Sequence, residues 1–103
     1  NLGQMYRRGQ GVSQDYKEAV KWYTKAANQG IAEAQNSLGV RYYEGQGVLK
    51  DFVQAHMWYN LASISGKSKY ATKNRDIIEK KMSRSEIQEA TRLAREWLRK
   101  HKK

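Results

Sequence analysis

From Ile31 to Tyr43 the chain sets Ala34, Leu38 and Tyr42 four residues apart among polar neighbours, the spacing of one face of an α-helix. Glu44-Gly45 predicts the end of that helix, because glycine adopts the left-handed backbone of a C-terminal cap at little cost. A second helix is predicted to open at Asp51, whose carboxylate can accept hydrogen bonds from the exposed first-turn amides, with Gln54 three residues on as in a capping box. Along it Ala55, Trp58, Tyr59 and Ala62 follow a spacing of three, one and three, which makes an apolar stripe closed by Gly66. The alanines let backbones approach closely, and the aromatic rings fill the volume beside them.

The same two-part pattern stands upstream. Shifting the chain by 36 lays residues 2–30 on 38–66, and 13 of the 29 positions are identical, among them Gly9-Gln10-Gly11-Val12 on Gly45-Gln46-Gly47-Val48 and Trp22-Tyr23 on Trp58-Tyr59. Asp15 and Glu18 repeat the capping arrangement, and Ala19, Trp22, Tyr23 and Ala26 repeat the stripe. An internal repeat of this period is the signature of a solenoid, in which each helix pair buries its apolar face on its neighbour. The last third departs from the pattern. Residues 68–81 predict a helix with Tyr70, Ala71, Asn74, Ile77 and Ile78 inward. Ser83 and Glu86 then form a capping box, flanked by Met82 and Ile87 as a hydrophobic staple. The final helix carries Ile87, Ala90, Leu93, Ala94, Trp97 and Leu98 on one side and arginines elsewhere, which suits the polar-backed cap that ends a solenoid. The expected organisation of this all-α chain is therefore a truncated first repeat (1–30), a complete second repeat (31–66) and a degenerate capping helix pair (67–103).

Two glycines one residue apart raise the idea of a phosphate loop. Such a loop follows a strand and carries the longer Gly-x-Gly-x-x-Gly or Walker spacing, whereas here a helix precedes each copy. The glycines read as a turn between helices, with Val12 and Val48 anchoring it. Two histidines, His56 and His101, and no cysteine leave too few partners for a metal site or a histidine-based triad, so no enzyme and no cofactor are expected. Asp15 and Asp51 read as caps of successive repeats rather than as a catalytic pair, and the Trp–Tyr stripe as core rather than a base-stacking platform. No apolar run approaches the ~20 residues of a membrane span.

At "LGVRYYEGQGVLKDFVQAHMWYNLASISG" the chain resembles the Sel-one-like repeat (SLR) family, relatives of the tetratricopeptide repeats. The family pattern falls on Ala32, Ala34, Leu38, Gly39, Tyr42, Gly45, Gly47, Val48, Asp51, Ala55, Trp58, Tyr59, Ala62 and Gly66. Residues 2–30 match equally well, and Ser63 departs from the second alanine of the pattern. The resemblance covers about two thirds of the chain and implies a right-handed α/α superhelix that scaffolds protein–protein interactions without chemistry of its own.

In related superhelices the first helices line the concave groove, so positions there that vary between repeats are the expected contacts for a partner protein or peptide. They are Gln4 and Arg7 in the first unit, Asn36, Val40 and Tyr43 in the second, and Thr72, Asp76 and Glu79 in the third. Net charge is +10, and it is unevenly spread: +3 over residues 1–30, −1 over 31–66 and +8 over 67–103. That asymmetry motivates an alternative, binding of nucleic acid or an acidic surface through Arg84, Arg92, Arg95, Arg99 and Lys100. Because the first helix enters at Leu2-Gly3 without its opening turns, Leu2, Met5 and Tyr6 are expected to meet upstream repeats or to associate end to end with a second copy.

Overall fold

The structure, a computed structural model, describes residues 13–66 and 69–101 and is all-α, as expected. The helices among these residues are α1 (Ser13–Asn28), α2 (Ala32–Glu44), α3 (Phe52–Gly66), α4 (Lys69–Glu79) and α5 (Arg84–Lys100). The first Gly-Gln-Gly-Val copy, with Leu2, Gln4, Met5, Tyr6 and Arg7, lies outside the described residues, and so does the side chain of Asp15.

The second repeat forms the predicted helix pair. Gly45 caps α2 in the left-handed conformation (φ 69°), and its N–H and that of Gln46 both return to the Arg41 carbonyl. Asp51 Oδ1 accepts from the Gln54 amide at 3.1 Å, capping α3. Gly47 turns the loop at φ 84°, and a Cβ there would stand 2.5 Å from the Tyr16 carbonyl oxygen. The turn is therefore also a seat: the second glycine lets the loop rest on the backbone of the preceding repeat's helix. Within the pair, the aromatic edge of Tyr59 lies against Gly39, where a Cβ would meet Tyr59 Cε1 at 2.6 Å. The small residue of "Leu-Gly" thus sets how closely α2 and α3 approach.

Helix α3 is the centre of the molecule, packed against α2, α4 and α5. Ala55 through Tyr59 are buried without a break, and Leu61 and Ala62 are fully enclosed. The run of buried residues winds around the circumference of α3, and a helix buried in this way needs several neighbours, which α3 has. One cluster joins Ala19, Tyr23 and Ala27 of α1 to Leu38, Met57, Trp58, Leu61 and Ala94; another joins Ala55 and Tyr59 to Ile78, Met82 and Ala90. The capping box of α5 forms in full, with Glu86 N–H donating to Ser83 Oγ at 3.1 Å and Ser83 N–H to Glu86 Oε1 at 2.8 Å. Met82 and Ile87 meet in the second cluster, as a staple requires.

Three inner-face expectations need correction. Trp22 is 51% exposed, although its repeat partner Trp58 is buried. On α4, Ala71 and Ile78 are buried, but Tyr70 is 75% exposed and Ile77 also faces solvent, because α4 has a single extensive neighbour, α3, and needs only a narrow stripe. On α5, Ala90 and Ala94 are buried while Leu98 is exposed.

Candidate functional site

Side chains join successive repeats at several points. Gln35, fully buried, donates from Nε2 to the Ala27 carbonyl at 3.0 Å, tying α2 to the end of α1. Arg75 donates to Asn60 Oδ1 at 3.2 Å, tying α4 to α3. Asn74 Nδ2 donates to Asn36 Oδ1 at 3.0 Å, which links the first helices of the second and third units. Of the expected groove residues, Asn36 and Thr72 are therefore on neighbouring helices α2 and α4, and Asp76 is exposed one turn further along α4.

The others are drawn partly into the framework. Val40 and Tyr43 are half-buried against the second cluster, and the Tyr43 ring stacks on Phe52 with centroids 5.5 Å apart. Glu79 Oε2 lies 2.7 Å from Nε2 of His56, which is buried at 2% exposure. The histidine has the role of an interhelical tie at a position where the first repeat has Val20. Burial pushes the Tyr59 hydroxyl well above the usual phenol range, with the Glu44 carboxylate adding to the effect. Tyr42 is raised for the same reason, with Asp51 as the nearby charge. Among the described residues no group of three or more His, Cys, Asp or Glu side chains could hold a metal ion, and no helix is long and apolar enough to cross a membrane.

The basic residues of α5 do not form an uninterrupted cationic row. Arg92 is held by Glu89 at 2.7 Å and also by Glu96, one turn to either side. The Arg92 hydrogen bond holds the Glu89 carboxyl below its ordinary range. Arg84, Arg95, Arg99 and Lys100 remain exposed along the helix. The inner side of α5 is fastened instead by Trp97, whose Nε1–H donates to Asn28 Oδ1 at 2.9 Å while its ring meets Trp58 edge-on at 6.2 Å. His101 stacks on the other side of that indole at 4.0 Å.

One further surface lies outside the first helices. On α1, Lys17, Lys21 and Lys25 recur every four residues and are exposed beside Trp22. A shift of 36 sets them on Val53, Met57 and Leu61. The signal was present in the repeat alignment as a run of three apolar-to-lysine exchanges at one helical spacing.

Two comparisons by sequence and one by structure agree with this architecture. The Sel1 repeat model matches residues 1–31 and 32–67. A sel1-like repeat-containing protein, L21, of Acanthamoeba polyphaga mimivirus is 49% identical over 39 residues, which are 38% of this chain and 7% of that protein. The crystal structure of c5321, described as a protective antigen present in uropathogenic Escherichia coli strains displaying an SLR fold, superposes with a TM-score of 0.88 at 40% identity. That match covers 98% of this chain and 22% of c5321, so the chain spans about a fifth of the length of that relative. With two consecutive matched repeats, the helix pair of the second and a shared three-dimensional course, the chain belongs to the Sel1 repeat family of tetratricopeptide-related helical-repeat proteins.

Proposed function

We propose that this chain is a binding module without catalytic chemistry, and that it takes a partner protein or peptide along the groove lined by the first helices of its repeats. The observation that carries the reading is the Asn36–Asn74 hydrogen bond, which joins α2 directly to α4. Asn36, Thr72 and Asp76 offer polar groups along it. Tyr43, held by its stack on Phe52, presents rigid contact area whose ordering costs little entropy. Val40 and Glu79 support this surface from its edge, through the core and through His56 respectively. Gln4 and Arg7 extend the same set into the first unit by their repeat positions.

The test is a pull-down with the whole chain as bait, followed by affinity measurements on Asn36→Ala, Asp76→Ala, Arg7→Ala and Tyr43→Phe. The last of these keeps the stacked ring and removes the hydroxyl alone. Affinity for the captured partner should fall in at least the Asn36 and Asp76 variants while the helical circular-dichroism signal stays intact. Partner affinity that is unchanged in every variant would show that the groove assignment is wrong.

A further inference from the structure

Helices α1 and α3 are copies of one another, yet the structure finishes them differently. On α3, the row Val53, Met57 and Leu61 runs beside Trp58; Met57, Trp58 and Leu61 are buried with Ala94, and Leu93 and Trp97 of α5 pack against the same cluster. An amphipathic helix laid across the tryptophan face is therefore an interaction this repeat makes within its own chain. On α1, the equivalent face carries Trp22 at 51% exposure, beside the row Lys17, Lys21 and Lys25. It forms an open cavity of about 430 Å3 lined by Glu18, Val20, Lys21, Trp22, Thr24 and Lys25.

The two faces share their aromatic anchor and differ in the charge beside it. Lys25 Nζ stands 5.5 Å from the centre of the Trp22 ring, and Lys21 Nζ lies 3.5 Å from Glu18, a pair largely open to solvent. Three lysines spaced four residues apart on one helix face repel one another. Glu18 is the one carboxylate within this lining to offset them. A helix with the apolar seam of α5 would fit against Trp22. In place of Met57 and Leu61, which share a cluster with Ala94 of α5, α1 has Lys21 and Lys25, so that helix would have to bring carboxylates to them.

We infer that the Trp22 face of α1 is a docking surface for an amphipathic helix of a partner protein whose apolar seam is flanked by acidic side chains. A second copy of α5 is a poor occupant, because Glu89 and Glu96 are already engaged by Arg92 and the other charges beside its seam, Arg95, Arg99 and Lys100, are cationic. This surface is separate from the groove of α2 and α4, and its test does not depend on that reading.

The experiment uses two synthetic peptides that keep the α5 spacing of Ile87, Ala90, Leu93, Ala94 and Trp97. One retains the arginines, and the other has glutamate at the positions of Arg92, Arg95 and Arg99. Each is titrated into the 15N-labelled chain while the indole N–H resonance of Trp22 is followed. The acidic peptide should shift that resonance saturably, and its affinity, read in wild type and variant alike from the backbone amide shifts of α1, should fall about tenfold or more in Trp22→Ala, the loss expected for an aromatic anchor. In the double variant Lys21→Glu, Lys25→Glu the preference should reverse, so that the arginine peptide binds more tightly than the acidic one. These side chains are exposed, so the fold should persist, and the wild-type titration needs no variant. No Trp22 shift with the acidic peptide overturns the proposal. So does an affinity indifferent to Trp22→Ala, or a peptide preference that survives the charge reversal. A shift produced by anionic vesicles or by an RNA oligonucleotide, with none from the acidic peptide, would assign the face to a different class of partner and equally overturn it.

Discussion

Helices α1 and α3 have the same Ala, Trp-Tyr, Ala pattern, and one tryptophan is buried while the other is half in solvent. The difference does not come from the motif. It comes from what crosses the helix: α3 is enclosed by α2, α4 and α5, whereas among the described residues α1 has one extensive neighbour, α2. The residues around each tryptophan agree with its surroundings, Met57 and Leu61 in the enclosed cluster that takes in Ala94 of α5, and Lys21 and Lys25 on the open side of α1. In a repeat protein the shared motif specifies the helix pair, and the positions between the motif residues specify what each pair meets.

Exchanging the distinguishing residues should break the comparison most sharply. Leu61→Lys places an ammonium group where Leu61 is fully enclosed and should cost roughly 4 kcal/mol or more, enough to unfold much of the population. The reciprocal Lys25→Leu should change stability by no more than about 0.5 kcal/mol, as expected of an exposed site. Urea denaturation midpoints of the two variants decide it, and equal midpoints would mean that α1 and α3 are equally enclosed. Next in size, Trp58→Ala should cost about 3–5 kcal/mol through lost burial and the cavity left beside Trp97. Trp22→Ala should cost under about 1 kcal/mol in the same assay. The smallest effect concerns the helix that makes the difference. Ser83→Ala removes one side of the α5 capping box and should lower stability by about 1 kcal/mol. Because α5 covers Trp58 and not Trp22, the variant should increase quenching of Trp58 by acrylamide and leave Trp22 as accessible as before.

Much of this architecture was legible along the chain. The repeat of 36, the end of α2 at Gly45, the Asp51 cap and the Ser83–Glu86 box are settled by contacts between residues a few positions apart, which a sequence displays directly. The candidate site was legible in part. Asn36, Tyr43, Asp76 and Glu79 stand on the helices that the periodicity predicts. Their engagement by Phe52 and His56 could not be read, because those partners are brought in by the packing of one helix on another. The lysine row of α1 could be read, since Lys17, Lys21 and Lys25 align with Val53, Met57 and Leu61 without any coordinates.

Short-range chemistry was thus sufficient for the helices, their caps, the turn between them and the family. Long-range placement settled the rest: which tryptophan is buried, how few residues of α4 face inward, and that Trp97 reaches Asn28 from the far end of the chain. The physical reason is that a capping carboxylate or a left-handed glycine answers to its own neighbours. Burial answers to whichever element arrives across the face, and two identical stripes cannot reveal which of them will be covered.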